Sequence, residues 1–139
     1  MTIHAFTDGA SRGNPGESGI GILWKDEKGR VLSTTKRYIG EATNNVAEYT
    51  ALIECLKMSR QFKCKRLVVH SDSELMVRQV TGKYKVKDAD LKNLFDEVQQ
   101  LIHESPFEFE IVHIKRNQNK EADELANIAI NLGQAAAAS

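Results

Sequence analysis

Four acidic side chains stand apart from the other acids of this sequence because of the elements on which they fall. Asp8 ends the first predicted strand and Asp72 ends a short, strongly apolar strand, and sites in mixed α/β sheets gather at the carboxyl ends of strands. Glu48 lies on the side of its predicted helix that faces the sheet. Asp123 borders the apolar stripe of the last predicted helix.

Carboxylates that meet at one place repel one another and are costly to remove from water. Bound divalent cations resolve that conflict, and hard oxygen ligands suit Mg²⁺ or Mn²⁺. Each acid taken singly also fits a plainer structural role, and Asp72 in particular could cap the helix that follows it. The pattern therefore raises the hypothesis of a metal site, to be weighed against surface acids and helix caps.

The predicted elements form one α/β sheet. Alternating or apolar runs predict strands over residues 2–8, 19–25, 31–39, 66–71 and 107–114. Helical spacing predicts helices over residues 43–60, 73–80, 89–104 and 119–132. Residues 9–18 are predicted to be turns throughout. An initial meander followed by βα units gives a five-stranded mixed sheet with helices on its faces.

The length of 139 residues fits one domain. We expect it to span residues 1–133, with a low-complexity tail over 134–139 that takes no part in function. The composition, 41% hydrophobic and 27% charged, is that of an ordinary globular protein. We find no apolar run of the roughly 18 residues that a membrane span needs and no secretion-signal pattern. Two cysteines without a disulfide pattern predict reduced thiols in the cytoplasm. No dimer signature is visible in the sequence, so we expect a monomer.

The net charge is zero, but the charge is unevenly distributed along the chain. Residues 57–92 carry ten Lys or Arg against four acids. This basic middle suits a polyanion partner, although charge alone favours a solvated helix and loop surface. Overall neutrality argues against tight nonspecific binding of nucleic acid, which depends mainly on neutralising phosphates.

Four motifs around the acids occur in a fixed order. They are Asp8-Gly-Ala-Ser-Arg-Gly-Asn-Pro-Gly16, Thr43-Asn-Asn-Val-Ala-Glu48-Tyr-Thr-Ala-Leu52, His70-Ser-Asp72-Ser73 and Asn119-Lys-Glu-Ala-Asp123-Glu-Leu-Ala126. In order and in register they resemble the type 1 ribonuclease H family over residues 2–132. The resemblance implies a ribonuclease H-like fold with the sheet order 3-2-1-4-5.

The resemblance implies an endoribonuclease that hydrolyses the RNA strand of RNA/DNA hybrids and leaves 5′-phosphate and 3′-hydroxyl ends. The matching positions make Asp8, Glu48, Asp72 and Asp123 the catalytic acids and the ligands of two Mg²⁺ or Mn²⁺ ions. In such a site one ion activates water for in-line attack and the other stabilises the departing 3′ oxygen.

Short polar residues around the acids match family positions that contact the hybrid. They are Asn14, Thr43, Asn44 and Asn45. Side chains of this kind can contact the 2′-hydroxyl and the minor groove without reading the base sequence. The same residues fit helix capping as well.

The chain departs from the family in two places. Many relatives carry a basic protrusion that is missing here, where Gly82-Lys-Tyr-Lys-Val-Lys87 passes straight into the next helix. The three lysines of this loop could replace the protrusion or could be a solvated surface. Many relatives also carry a histidine before the last helix, and Arg116 takes its place when the strand ends are aligned. An arginine cannot shuttle protons at neutral pH but can hold phosphate or help product leave.

The four histidines give no zinc pattern by their spacing. His113 lies ten residues before Asp123 but falls inside a predicted strand, so we do not assign it the family histidine's role. We expect His4, His70 and His103 to be ordinary strand or helix residues.

Two other function classes compete with the nuclease. A module of this fold could bind the hybrid without hydrolysis, although a pure binder has no need of four clustered carboxylates. A related metal nuclease of the transposase or junction-cutting type is also conceivable, although the Asp8-Gly-Ala start is less typical of those domains.

Overall fold

A twisted sheet of five strands carries helices on both faces. The computed structural model describes residues 1–138. The strands are β1 (Thr2–Gly13), β2 (Gly16–Lys25), β3 (Val31–Ala42), β4 (Arg66–Ser71) and β5 (Glu108–His113), and the helices are α1 (Asn44–Met58), α2 (Glu74–Val80), α3 (Ala89–Glu104) and α4 (Lys120–Ala138). Short 3₁₀ helices span Ser59–Phe62 and Arg116–Gln118.

The sheet order is β3-β2-β1-β4-β5, as predicted. The pairs β1–β2 and β2–β3 are antiparallel, whereas β1–β4 and β4–β5 are parallel. The central strand β1 thus joins the antiparallel meander to the parallel half of the sheet. The predicted fold class is confirmed.

The hairpin between β1 and β2 contradicts the prediction of turns over residues 9–18. Strand β1 continues to Gly13 and β2 begins at Gly16, so that only Asn14 and Pro15 connect them. The residues of this segment are small or polar, so they give no apolar alternation even though their backbones pair. A longer hairpin therefore replaces the predicted loop beside the acids.

The main core lies between the sheet and α1. Ile3 and Ala5 of β1 face this side and are fully buried. Trp24 is also fully buried, and its indole nitrogen donates to the Ser59 hydroxyl at 2.9 Å. This packing fixes α1, which carries Glu48, against the central strands.

Helix α4 covers the other face of β1, β2 and β3. A Cβ atom at Gly21 would lie 2.3 Å from the carbonyl oxygen of Ala122, so only glycine allows this approach of helix and strand. The helix runs through residue 133 to Ala138, so the predicted tail continues it as far as it is described. The Arg12 guanidinium donates to the Gln134 side chain at 3.1 Å.

His4 and Phe6 of β1 and His70 of β4 lie on the α4 side of the sheet and are half-buried. The ring of His70 stacks on Phe6 with centroids 4.5 Å apart. Burial and the nearby His4 lower the pKa of His70 to about 4. The His70 ring is therefore a neutral imidazole near pH 7.

Within residues 1–138, we find no helix of the length and apolar character required to pass through a membrane.

Candidate active site

Asp8 and Asp72 meet where the parallel pairing of β1 and β4 stops. The last register pair joins Thr7 to Ser71, and Asp8 and Asp72 are the residues that directly follow them in the sequence. Beyond this point β1 continues only as the partner of β2. Asp8 is 5% exposed and Asp72 is half-buried, so both carboxylates line the opening between the strands.

Glu48 reaches the same point from the first turns of α1. Its Oε1 accepts a hydrogen bond from the Gly9 amide at 2.6 Å, and the residue is 4% exposed. A Cβ atom at Gly9 would lie 2.2 Å from the backbone of Ala47. The glycine after Asp8 therefore lets α1 approach the strand closely enough to deliver Glu48.

These three acids form one cluster. Carboxylate oxygens of Asp8, Glu48 and Asp72 all lie within 4.8 Å of one another. Capping does not account for Asp72, because the hydroxyl of Ser73 caps α2 by accepting from the Met76 amide at 3.3 Å. The structure thus brings together three of the four acids predicted to share a site.

The proximity of the acids perturbs their protonation. Burial, reinforced by the charges of Glu48, Asp72 and Asp123, raises the pKa of Asp8 far above the range of an ordinary carboxyl group. Burial likewise raises the pKa of Glu48, although the Gly9 amide works in the opposite direction. Without a cation, the buried pair therefore retains protons at neutral pH, whereas a divalent ion would favour the ionised carboxylates.

Asp123 lies at the edge of this cluster. It occupies the first turn of α4, is exposed, and contributes both charge and a hydrogen bond to the perturbed pKa of Asp8. Its Oδ1 also accepts from the Asn127 side chain at 3.3 Å. Asp123 is thus the most solvent-accessible of the four acids and belongs to an element separate from those of the other three.

Asn119 connects β1 to Asp72 by hydrogen bonds. It was not predicted as a site residue. Its side chain is 2% exposed, and its Nδ2 donates to the Thr7 carbonyl at 2.9 Å and to Asp72 Oδ2 at 3.2 Å. Within residues 1–138, its Oδ1 is buried without a hydrogen-bond partner. An asparagine one turn before Asp123 is the sequence signal, but it resembles a simple helix start.

The predicted substrate contacts lie along the hairpin tip and the start of α1. Asn14 Oδ1 accepts from the Asn44 amide at 3.1 Å. The Thr43 hydroxyl caps α1 by accepting from the Val46 amide at 3.2 Å, so the capping role is real for this residue. Asn44 and Asn45 are exposed on the first turn of the helix.

A cleft of about 200 Å³ opens beside these residues. Asn14, Thr43 and Asn45 line one part of it, and Asp88 and Asp90 at the start of α3 line another. Asp88 accepts from the Leu91 amide at 3.0 Å and caps α3. The cleft therefore places polar amides opposite negative charge.

Arg116 and His113 both lie at the sheet end that carries the acids. Arg116 is exposed in the 3₁₀ helix before α4, and its positive charge acts to lower the pKa of Glu48. His113 is the exposed last residue of β5 and is paired in register with Ser71. The electrostatic link to Glu48 places Arg116 near the cluster, whereas its function stays a prediction.

Comparison with known proteins agrees with this architecture. A family model described as "Reverse transcriptase-like" matches residues 6–129. A protein of Halobacterium salinarum named ribonuclease HI is 37% identical over 93% of the chain and 64% of its own length. A protein of Methylococcus capsulatus named ribonuclease H is 32% identical over 94% of the chain and 90% of its own length.

A solved structure has the same fold as this chain. LC11-RNase H1, crystallised in complex with an RNA/DNA hybrid, superimposes with a TM-score of 0.91 at 45% identity, over 95% of this chain and 99% of that one. The chain spans less than two thirds of several curated relatives, with 64% of the Halobacterium protein and 38% of three mycobacterial ones. On the matched motifs, the shared sheet and these relatives, the chain belongs to the type 1 ribonuclease H family.

Proposed function

We propose that the chain is an endonuclease that hydrolyses the RNA strand of RNA/DNA hybrids. The observation that carries the proposal is the convergence of Asp8, Glu48 and Asp72, whose carboxylate oxygens lie within 4.8 Å of one another. Relatives named ribonuclease H and the LC11 structure, which holds an RNA/DNA hybrid, support the substrate class.

The donor set fits two Mg²⁺ or Mn²⁺ ions. All the donors are carboxylate oxygens, the ligands that these hard cations prefer. Asp8, Glu48, Asp72 and Asp123 would hold these ions. When bound, the ions supply a Lewis acid that activates water for in-line attack at phosphorus and stabilises the leaving 3′ oxygen.

The chain's own residues hold this site in place. The Gly9 amide fixes Glu48, and Asn119 fixes Asp72 by hydrogen bonds in the buried interior. Because these partners are positioned by β1 and by the start of α4, the carboxylates need little rearrangement before reaction. The bond between phosphorus and the 3′ oxygen breaks, which leaves a 5′-phosphate and a 3′-hydroxyl end.

Residues beside the cluster orient the hybrid. Asn14, Thr43, Asn44 and Asn45 contact its sugar-phosphate backbone, and their small amide and hydroxyl groups do not select a base sequence. Arg116 holds a phosphate near the acids or helps product leave. The enzyme acts as a monomer in the cytoplasm, where its buried thiols stay reduced.

Cleavage of a labelled hybrid tests the proposal. A 5′-labelled RNA strand paired with DNA is incubated with the protein and Mg²⁺, and duplex DNA, duplex RNA and free RNA are run in parallel. We expect internal cuts in the hybrid whose new 3′ ends support primer extension. Asp8→Asn should abolish cutting, whereas Asp96→Asn, an exposed acid on α3, should not.

The outcomes separate the competing classes. Binding of the hybrid without cleavage by the wild-type protein would support a pure binding module. Cleavage of duplex DNA in preference to the hybrid would support the other type of metal nuclease. Activity of the Asp8→Asn variant at the wild-type rate would contradict the assignment of the cluster.

A further inference from the structure

Asp123 is the only exposed side chain among the four acids of the proposed site. Burial holds Asp8 and Glu48 in place. The side-chain amide of Asn119 holds Asp72. An exposed aspartate on the first turn of a helix can instead exchange among several rotamers in water, and ordering it costs conformational entropy. A partner that selects the rotamer facing Asp8 would therefore contribute to the site.

The side chain of Asn127, one turn further along α4, contacts Asp123 at two atoms. Its Nδ2 donates to the Asp123 carbonyl oxygen at 3.0 Å and to Asp123 Oδ1 at 3.3 Å. Residues four apart on a helix are neighbours on its surface, so this amide reaches the carboxylate from within the same helix. The carboxyl group of Asp123 also forms a hydrogen bond with Asp8. Asn127 thus contacts Asp123 in the orientation that reaches the cluster.

Arg12 of β1 fixes the turn of α4 that carries Asn127. Its Nη2 donates to the Asn127 carbonyl oxygen at 3.3 Å, and its Nη1 donates to Gln134 Oε1 at 3.1 Å. Arg12 lies on the same face of β1 as Asp8, four residues further on, which corresponds to about 13 Å. Helix α4 is therefore attached to β1 at two separate points, one of them at the Asp8–Asp123 contact.

We propose that Asn127 is a positioning residue that orients Asp123 towards the cations of the carboxylate cluster. This inference rests on the proposed function, because it assigns those cations to the four acids. Asn127 itself contacts neither ion nor substrate. It keeps Oδ1 of Asp123 on its amide, which leaves the other carboxylate oxygen to face the cluster. Without the amide, binding of an ion must also order the Asp123 side chain.

The local contribution of Asn127 to folding is small, which makes its effect on the site measurable. A side-chain pair four residues apart on a helix surface stabilises the helix only slightly. Alanine also favours a helix more strongly than asparagine does. We therefore expect Asn127→Ala to unfold at nearly the wild-type temperature, so that a loss of ion binding reports on the orientation of Asp123.

The experiment measures Mn²⁺ binding to the whole chain by calorimetry, without hybrid. We expect Asn127→Ala to weaken Mn²⁺ binding about tenfold, as for the loss of an outer partner of a metal ligand. In an Asp123→Asn background the same change should have no further effect, because Asn127 acts through Asp123. The matched control is Asn131→Ala, an exposed asparagine one turn further along α4, which should bind Mn²⁺ like the wild-type protein.

Equal Mn²⁺ affinities of the wild-type and Asn127→Ala proteins would overturn the proposal, and so would a tenfold loss that persists in the Asp123→Asn background. The wild-type protein alone gives a second test by nuclear magnetic resonance. Saturation with Mg²⁺ should shift the side-chain amide signals of Asn127 and leave those of Asn131 in place, and unmoved Asn127 signals would also overturn the proposal. The expected Mn²⁺ results in a protein that does not cut the hybrid would support the positioning role while contradicting the proposed function.

Discussion

Replacing Asn119 by alanine tests how much the site depends on the positioning of Asp72, because the variant leaves all four acids in place. The variant loses the hydrogen bonds from Nδ2 to the Thr7 carbonyl and to Asp72, while every carboxylate remains. It also removes Oδ1, which has no hydrogen-bond partner within residues 1–138. The change therefore acts on the site through Asp72.

Two magnitudes follow from these contacts. A hydrogen bond to a charged group contributes about 1.5–3 kcal/mol and a neutral one about 1 kcal/mol, and removal of the unpaired oxygen offsets part of the loss. We expect the free energy of unfolding to fall by about 1–3 kcal/mol. Loss of an outer partner of a metal ligand lowers metal affinity or activity about 10–100-fold.

The assay is the rate of hybrid cleavage as a function of Mg²⁺ concentration, measured well below the unfolding temperature. We expect Asn119→Ala to need about 10–100 times more Mg²⁺ for half-maximal rate and to recover part of its activity at high Mg²⁺. Asn131→Ala, an exposed asparagine on α4, is the control. A destabilised Asn119→Ala protein with the wild-type Mg²⁺ dependence would refute the positioning role.

Three further predictions concern charge. Because the fold raises the pKa of Asp8 and Glu48, the native state binds more protons than the unfolded state, and without metal the free energy of unfolding should fall as pH rises from about 4 towards 9. Asp8→Asn should reduce the total fall over this pH range by about 1–2 kcal/mol in denaturant titrations. An unchanged fall would contradict the burial argument. Arg116→Ala should lower turnover about tenfold while His113→Ala has little effect, and equal large losses in kcat would reverse the two assignments. Asp90→Asn, which removes a negative charge from the cleft, should lower the KM for the hybrid about twofold to fivefold at low salt, and a higher KM would show that the cleft does not face phosphate.

The sheet order and the meeting of three acids could be predicted because local patterns encode them. Asp72 follows an apolar run that forms a buried strand, and Glu48 shares a helix face with the core residue Leu52. Parallel strands bring their carboxyl ends together, and the register of β1 and β4 places Asp8 beside Asp72.

What the sequence analysis missed depends on contacts between distant residues. The hairpin extends to Gly13 because backbones pair there, and small side chains leave no periodic signal. Asn119 acts through a hydrogen bond to Thr7, which lies 112 residues away. The contact between His4 and His70 spans 66 residues, and no motif spacing describes it.

Helix α4 has a consequence for the synthesis of the protein. The strands β1 and β4 and the helix α1, which carry Asp8, Asp72 and Glu48, leave the ribosome before Asn119 and Asp123 have been translated. Until α4 docks, one face of β2 is uncovered and Asp72 lacks its amide partner. The cluster of acids and its amide partner are therefore complete only after α4 has been translated and has docked on the sheet.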